Sequence, residues 1–183
     1  WGKRCMVVWK TEGESCDAAW DLDAISLIGW KKNKKKREEM TEIIDMMGDQ
    51  GTIVLIEELD RLIDPNDMTK AMKKFFSVIR KVISHIMLTF HRFISDDNIR
   101  FIVNNTPVEA WDPFITANSA TQELADERVF SDGGASEIVI QPYVVPHKTK
   151  YSSEDDYKNA GGPKGWNYHQ GVYLYRNKRL IIC

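Results

Sequence analysis

Four histidines (His85, His91, His147, His169) and three cysteines (Cys5, Cys16, Cys183) are the side chains of this 183-residue sequence best suited to hold a metal or act as a base or nucleophile. Their spacing works against each role. His85 and His91 stand six residues apart in a helical pattern, about 600° around the axis, so they do not share a face. The cysteines form no CxxC pair and are odd in number, which argues against a zinc motif and a disulfide framework and fits a reducing compartment. No serine or cysteine sits in a GxSxG-type turn. Glu57 and Glu58 follow an apolar strand, where adjacent carboxylates point to opposite faces and cannot work as an acid–base pair. No catalytic residue, metal ligand or cofactor-binding residue is therefore expected within this chain.

Two glycine-rich stretches invite a phosphate-loop reading. Asp132-Gly133-Gly134-Ala135-Ser136 leads into Ile138-Val139-Ile140, a strand pattern, whereas a phosphate cradle needs a helix whose amides face the anion. Gly161 to Gly165 includes Lys164 but lacks both the GxxxxGK[ST] spacing and a following helix. Both read as turns. The basic run Lys31, Lys32, Lys34, Lys35, Lys36 and Arg37 is the better binding candidate, since several lysines on an extended loop can contact phosphates with salt-dependent affinity. A net charge of −2 supplies no global attraction to nucleic acid, so any contact with DNA must come from that local patch.

The elements that must carry these residues follow from periodicity. Arg4–Lys10 and Cys16–Leu22 read as a hairpin, with Ala18, Trp20 and Leu22 at period two. Met40, Ile43, Ile44 and Met47 suit a short helix stopped by Gly48. Thr52–Leu59 is a continuous apolar strand of the kind covered on both faces. Asp64-Pro65-Asn66-Asp67 starts a helix, and Met68, Met72, Phe75, Ile79, Val82, Ile86, Phe90 and Phe93 recur on one stripe, which predicts a helix of about 40 Å from Asp67 to Phe93. Ile99–Val103, an Asn104-Asn105 turn and Val108–Trp111 suggest a hairpin. Asn118–Arg128 reads as a loop, Glu137–Val145 as a strand bent by Pro142, and Ser152 or Ser153 as a helix cap. Gly171–Tyr175, an Asn177-Lys178 turn and Arg179–Ile182 form a last hairpin. Strands, one dominant helix, then more strands predict an α+β fold, one layer of sheet with helices on one face.

An apolar share of 43% and a charged share of 28% are ordinary for a globular domain. No apolar run approaches the about 18 residues of a membrane span, and no leader pattern is present, so a cytoplasmic protein without membrane contact is expected. The sequence starts at Trp1 and stops at Cys183 inside the apolar run Leu180-Ile181-Ile182. Both ends read as cuts in a longer chain. The pattern favours a single domain over 1–183 with a loop insertion at 31–37.

The most specific text is Ala160-Gly161-Gly162-Pro163-Lys164-Gly165-Trp166-Asn167-Tyr168-His169-Gln170-Gly171-Val172-Tyr173-Leu174-Tyr175-Arg176-Asn177-Lys178-Arg179-Leu180-Ile181. It resembles the AGGPxGWNxxQGxYxYRNxRLI stretch of prokaryotic MORC-like ATPases of the GHKL superfamily, which includes DNA gyrase B, MutL and the large heat-shock chaperone. Trp20-Asp21-Leu22-Asp23, Gly51-Thr52-Ile53-Val54 with Leu59-Asp60-Arg61-Leu62, and Phe90-His91-Arg92-Phe93 leading to Trp111-Asp112-Pro113-Phe114 resemble the same family in the same order. The family residues are Gly161, Gly162, Trp166, Asn167, Gln170, Gly171, Arg176, Asn177 and Arg179.

The resemblance implies a transducer domain. That is a mixed sheet with helices packed on one face, like the second domain of a small-subunit ribosomal protein. It would follow an ATP-binding domain of the same chain that holds ATP and magnesium, and the full-length parent would be a homodimeric ATPase with a DNA-related role. The resemblance also implies a γ-phosphate-sensing lysine beyond Cys183, a role that passes to neither Lys164 nor Lys178. The competing reading from the residues alone is a stand-alone nucleic-acid or protein binding module using the loop 31–37.

Overall fold

The computed structural model describes residues 2–12, 14–29, 45, 47–59, 66–130, 134 and 136–183. The protein mixes helices with small antiparallel sheets and divides into two compact units, Trp1–Val78 and Ile79–Cys183.

In the first unit, β1 (Arg4–Thr11) pairs on one side with β2 (Glu14–Asp21) and on the other with β3 (Gly51–Glu57), giving the order β2-β1-β3. Met6 and Val8, two apart on the central strand, point to one face and are buried. Ala19 and Leu55 stand opposite Met6 and Ile53 opposite Val8, and with Met47 they complete this core.

Two expectations change here. The second strand ends at Asp21, because Asp21 Oδ1 accepts hydrogen bonds from the amides of Asp23 (2.9 Å) and Ala24 (3.3 Å) and so caps α1 (Leu22–Ile28). The alternation of Ala18, Trp20 and Leu22 hides that cap. β3 is not covered on both faces: as an edge strand it alternates half-buried and exposed residues, and Val54 is 56% exposed.

The division between the units falls within α2 (Met68–Thr89), which starts where Asp67 Oδ1 accepts from the Lys70 amide at 3.0 Å. The helix stops short of the expected Phe93. Phe90, at φ −111° and ψ 13°, leaves helical geometry before a short α3 (His91–Ser95).

Beyond it the second unit contains β4 (Ile102–Val103) and β5 (Thr106–Pro107), joined by Asn104 and Asn105 at φ 49° and 62°, values that asparagine tolerates in a tight hairpin turn. β6 (Gln122–Glu123) and β7 (Glu127–Phe130) occupy the stretch expected to be loop. The expected strand Glu137–Val145 is two strands, β8 (Glu137–Ile140) and β9 (Tyr143–Val144), which pair with β7 and β6 respectively. Pro142 stands between them and has no amide to donate to a ladder. α4 (Glu154–Ala160) is capped by Ser153, as expected, and β10 (Leu174–Arg176) and β11 (Arg179–Ile182) form the closing hairpin. Among the described residues every ladder is antiparallel and the strands fall into five small sheets, where one mixed sheet was expected.

Candidate functional site

The stretch 160–181 folds around its aromatic rings. Trp166 donates from its indole to the Tyr157 carbonyl (3.0 Å) and stacks on the Tyr157 ring at 4.9 Å. Gly161 closes α4 beneath it, and a Cβ there would lie 2.8 Å from the indole. Gly162, at φ +73°, lies against Trp111, whose indole donates to the Ala160 carbonyl at 3.2 Å. Trp111 also contacts His169, with ring centres 4.4 Å apart. The glycines are therefore packing and turn positions, consistent with a turn and not with a phosphate cradle. Asn167 and Gln170 are exposed.

The hairpin β10–β11 turns through Asn177 and Lys178, at φ 48° and 67°. Arg176 and Arg179 face each other across it, and the Arg179 guanidinium sits 5.5 Å from the Phe90 ring centre. From the same hairpin the Tyr175 hydroxyl pairs with His91 Nε2 at 2.8 Å, and Lys178 Nζ donates to Asp96 Oδ2 at 2.6 Å. Arg92 lies over the Tyr175 ring at 3.8 Å. His91 is 3% exposed; burial lowers its pKa, an effect that the Asp112 charge opposes and Arg92 reinforces. Burial also raises the Tyr175 hydroxyl above its ordinary value and pushes Tyr173 up to about 12. At neutral pH the pair is an uncharged imidazole and an intact phenol, so neither ion has to be buried without a partner.

Asp112 turns the chain at Pro113. Its Oδ1 accepts from the Phe114 amide (3.0 Å), and its Oδ2 accepts from the Thr116 amide (2.9 Å) and hydroxyl (2.6 Å). This turn sets Phe114 against Tyr143, with ring centres 4.5 Å apart. The α3 segment, the Asp112 turn, Tyr143 and Lys178 line an open cleft of about 390 Å³. A second, more apolar groove of about 560 Å³ runs beside β8, lined by Ile138–Ile140, Tyr143 and Val172.

Of the sequence-derived candidates, the stretch around Phe90–Phe93, that around Trp111–Phe114 and the C-terminal block are brought together. Trp20–Asp23 and Gly51–Val54 belong to the first unit, and Asp60, Arg61 and Leu62 lie outside the described residues. So do the basic residues Lys31, Lys32, Lys34, Lys35, Lys36 and Arg37, most of the short helix expected over Met40–Met47, and most of Asp132–Ala135. The three cysteines are free, and among the described residues no three His, Cys, Asp or Glu side chains are grouped as metal ligands. Among the same residues no helix is long and apolar enough to cross a membrane.

Sequence reasoning missed Asp96 and the bonding roles of Tyr175 and Asp112. The pattern Asp112-Pro113-x-x-Thr116 carried a turn signal for the last of these. No family model matches the chain, and no curated protein or solved structure matches it.

Proposed function

We propose that this chain is the transducer part of an ATP-dependent GHKL-type ATPase of the MORC-like kind, acting in the cytoplasm and coupling ATP binding in a preceding domain to dimerisation or a change of conformation. The observation that carries this reading is convergence. Two of the four stretches that resemble the family, Phe90–Phe93 leading to Trp111–Phe114 and the C-terminal block, meet through His91–Tyr175 (2.8 Å), Trp111–Ala160 (3.2 Å) and Trp111–His169 (4.4 Å).

In this reading ATP and magnesium belong to the preceding domain, and the chain itself has no catalytic role. A sensing lysine discriminates ATP from the diphosphate because its charge is drawn to the γ-phosphate, and such differential contact is what lets a nucleotide shift a conformational equilibrium. The hairpin that precedes this lysine in the expected order is fastened to His91 of α3 by a hydrogen bond and to its C-cap Asp96 by an ion pair, which suits the passage of a displacement.

Calorimetric titration of ATP and magnesium into this chain is expected to show no binding, and nucleotide-dependent dimerisation is expected once the chain is joined to the domain encoded before it. Tight ATP binding by the chain alone, or an upstream reading frame without an Asn-bearing magnesium helix and glycine motifs, would overturn the reading.

A further inference from the structure

The geometry points to a ligand site in the second unit: the cleft between α3 and the Asn177-Lys178 turn is built to hold a phosphate-type oxyanion. This inference does not rest on the transducer reading. Two cations from distant parts of the chain, Arg92 and Lys178, line one cleft of about 390 Å³, near the lower end of the range for small-molecule sites.

Their circumstances differ. Lys178 is paired with Asp96 at 2.6 Å. Arg92 is half-buried with its guanidinium carbon 3.8 Å above the Tyr175 ring centre, and among the described residues no carboxylate lies within ion-pair distance of it and none accepts a hydrogen bond from it. A cation–ring contact consumes none of the guanidinium N–H donors, whose planar fork can receive two oxygens of a phosphate side by side.

Asp112, which lines the same site, is already engaged, since it accepts three hydrogen bonds from its own turn. Ser95 offers a hydroxyl at the rim, and the stacked Phe114 and Tyr143 rings supply an apolar wall. A tetrahedral dianion between Arg92 and Lys178 would complete the Arg92 fork and compete with Asp96 for the ammonium. Asp96 and Asp112 also line the site and oppose any anion, so binding depends on a dianion gaining from both cations at once and displacing Asp96 from Lys178.

The test is an NMR titration of the isotope-labelled chain with sodium phosphate, with sodium chloride at matched ionic strength as the control. Saturable shifts at residues 92–96 and 178 in phosphate alone are expected. Arg92→Gln should weaken binding by about tenfold or more, as loss of a charged hydrogen-bonding fork does. Asp96→Asn, an exposed change that releases Lys178, should tighten it several-fold, a direction that a purely structural role for Asp96 would not produce. Should Arg92→Gln fail to fold, Arg92→Lys, which keeps the charge and loses the fork, takes its place with the same sign. Phenyl phosphate binding more tightly than inorganic phosphate would identify a phosphomonoester as the ligand; equal binding would identify free phosphate. Equal shifts in chloride, unchanged affinity in the Arg92 variant or no tightening in Asp96→Asn would overturn the assignment.

Discussion

Gly162 and Gly165 both hold positive φ, +73° and +79°, yet their surroundings differ. A methyl group on Gly162 would overlap the Trp111 ring, whereas one on Gly165 would meet nothing within 4 Å. Gly165→Ala should therefore cost only the left-handed backbone penalty, about 1 kcal/mol, and Gly162→Ala that penalty plus overpacking, about 2–4 kcal/mol in all. Urea denaturation midpoints measure the difference; equal losses would mean that Trp111 does not close over Gly162. A second residue-scale expectation concerns His91. Its folded pKa lies below the ordinary 6.5, first through burial, so below about pH 6.5 the unfolded chain takes up a proton that the folded one refuses. Stability should fall as pH drops from about 7.5 to 5.5, before most carboxylates titrate, and His169, also depressed chiefly by burial, adds to the same sign. A urea midpoint that stays flat or rises over that interval would contradict the buried neutral imidazole.

At the scale of elements, what the sequence declares and what it hides separate cleanly. The turns Asn104-Asn105 and Asn177-Lys178 and the Ser153 cap were legible because their chemistry is local: asparagine tolerates positive φ, and serine accepts from an amide three residues on. Strand pairing was not, since nothing in Glu137–Val145 states that β8 joins β7 while β9 joins β6. The burial of His91 was equally hidden, because its partner Tyr175 stands 84 residues away. The final hairpin offers a test that separates stability from binding. Lys178 holds φ +67°, which glycine adopts without strain, so Lys178→Gly should gain about 1 kcal/mol in the turn. The lost pair with Asp96 is exposed at both ends, 54% and 45%, and pairs of that kind contribute about 0–1 kcal/mol. Thermal stability should stay within about 1 kcal/mol of the parent, while phosphate affinity falls. A large loss of stability would show that the ion pair holds the hairpin in place.

For the molecule as a whole, the transducer reading requires that movement of the hairpin be felt by the long helix. Three contacts join the hairpin to the segment that follows this helix: Tyr175 to His91, Lys178 to Asp96, and Arg179 to the Phe90 ring. Phe90 keeps its amide bonded to the Ile86 carbonyl at 3.0 Å, so the last turn of α2 continues into the segment that the hairpin grips. A buried polar pair is poorly suited to gradual deformation, because separating His91 from Tyr175 leaves two polar atoms without partners. The hairpin and the 86–96 segment should then respond as one body. In the chain joined to the ATP-binding domain that the transducer reading places before it, hydrogen exchange at 86–96 and at 174–182 should slow together when a non-hydrolysable ATP analogue is added. Tyr175→Phe, which removes the hydroxyl and keeps the ring beneath Arg92, should uncouple the two responses while leaving nucleotide binding in the other domain intact. Protection that appears in the hairpin alone, with 86–96 unchanged in the unmodified protein, would mean that the helix takes no part in transmission and that its apolar stripe serves packing only.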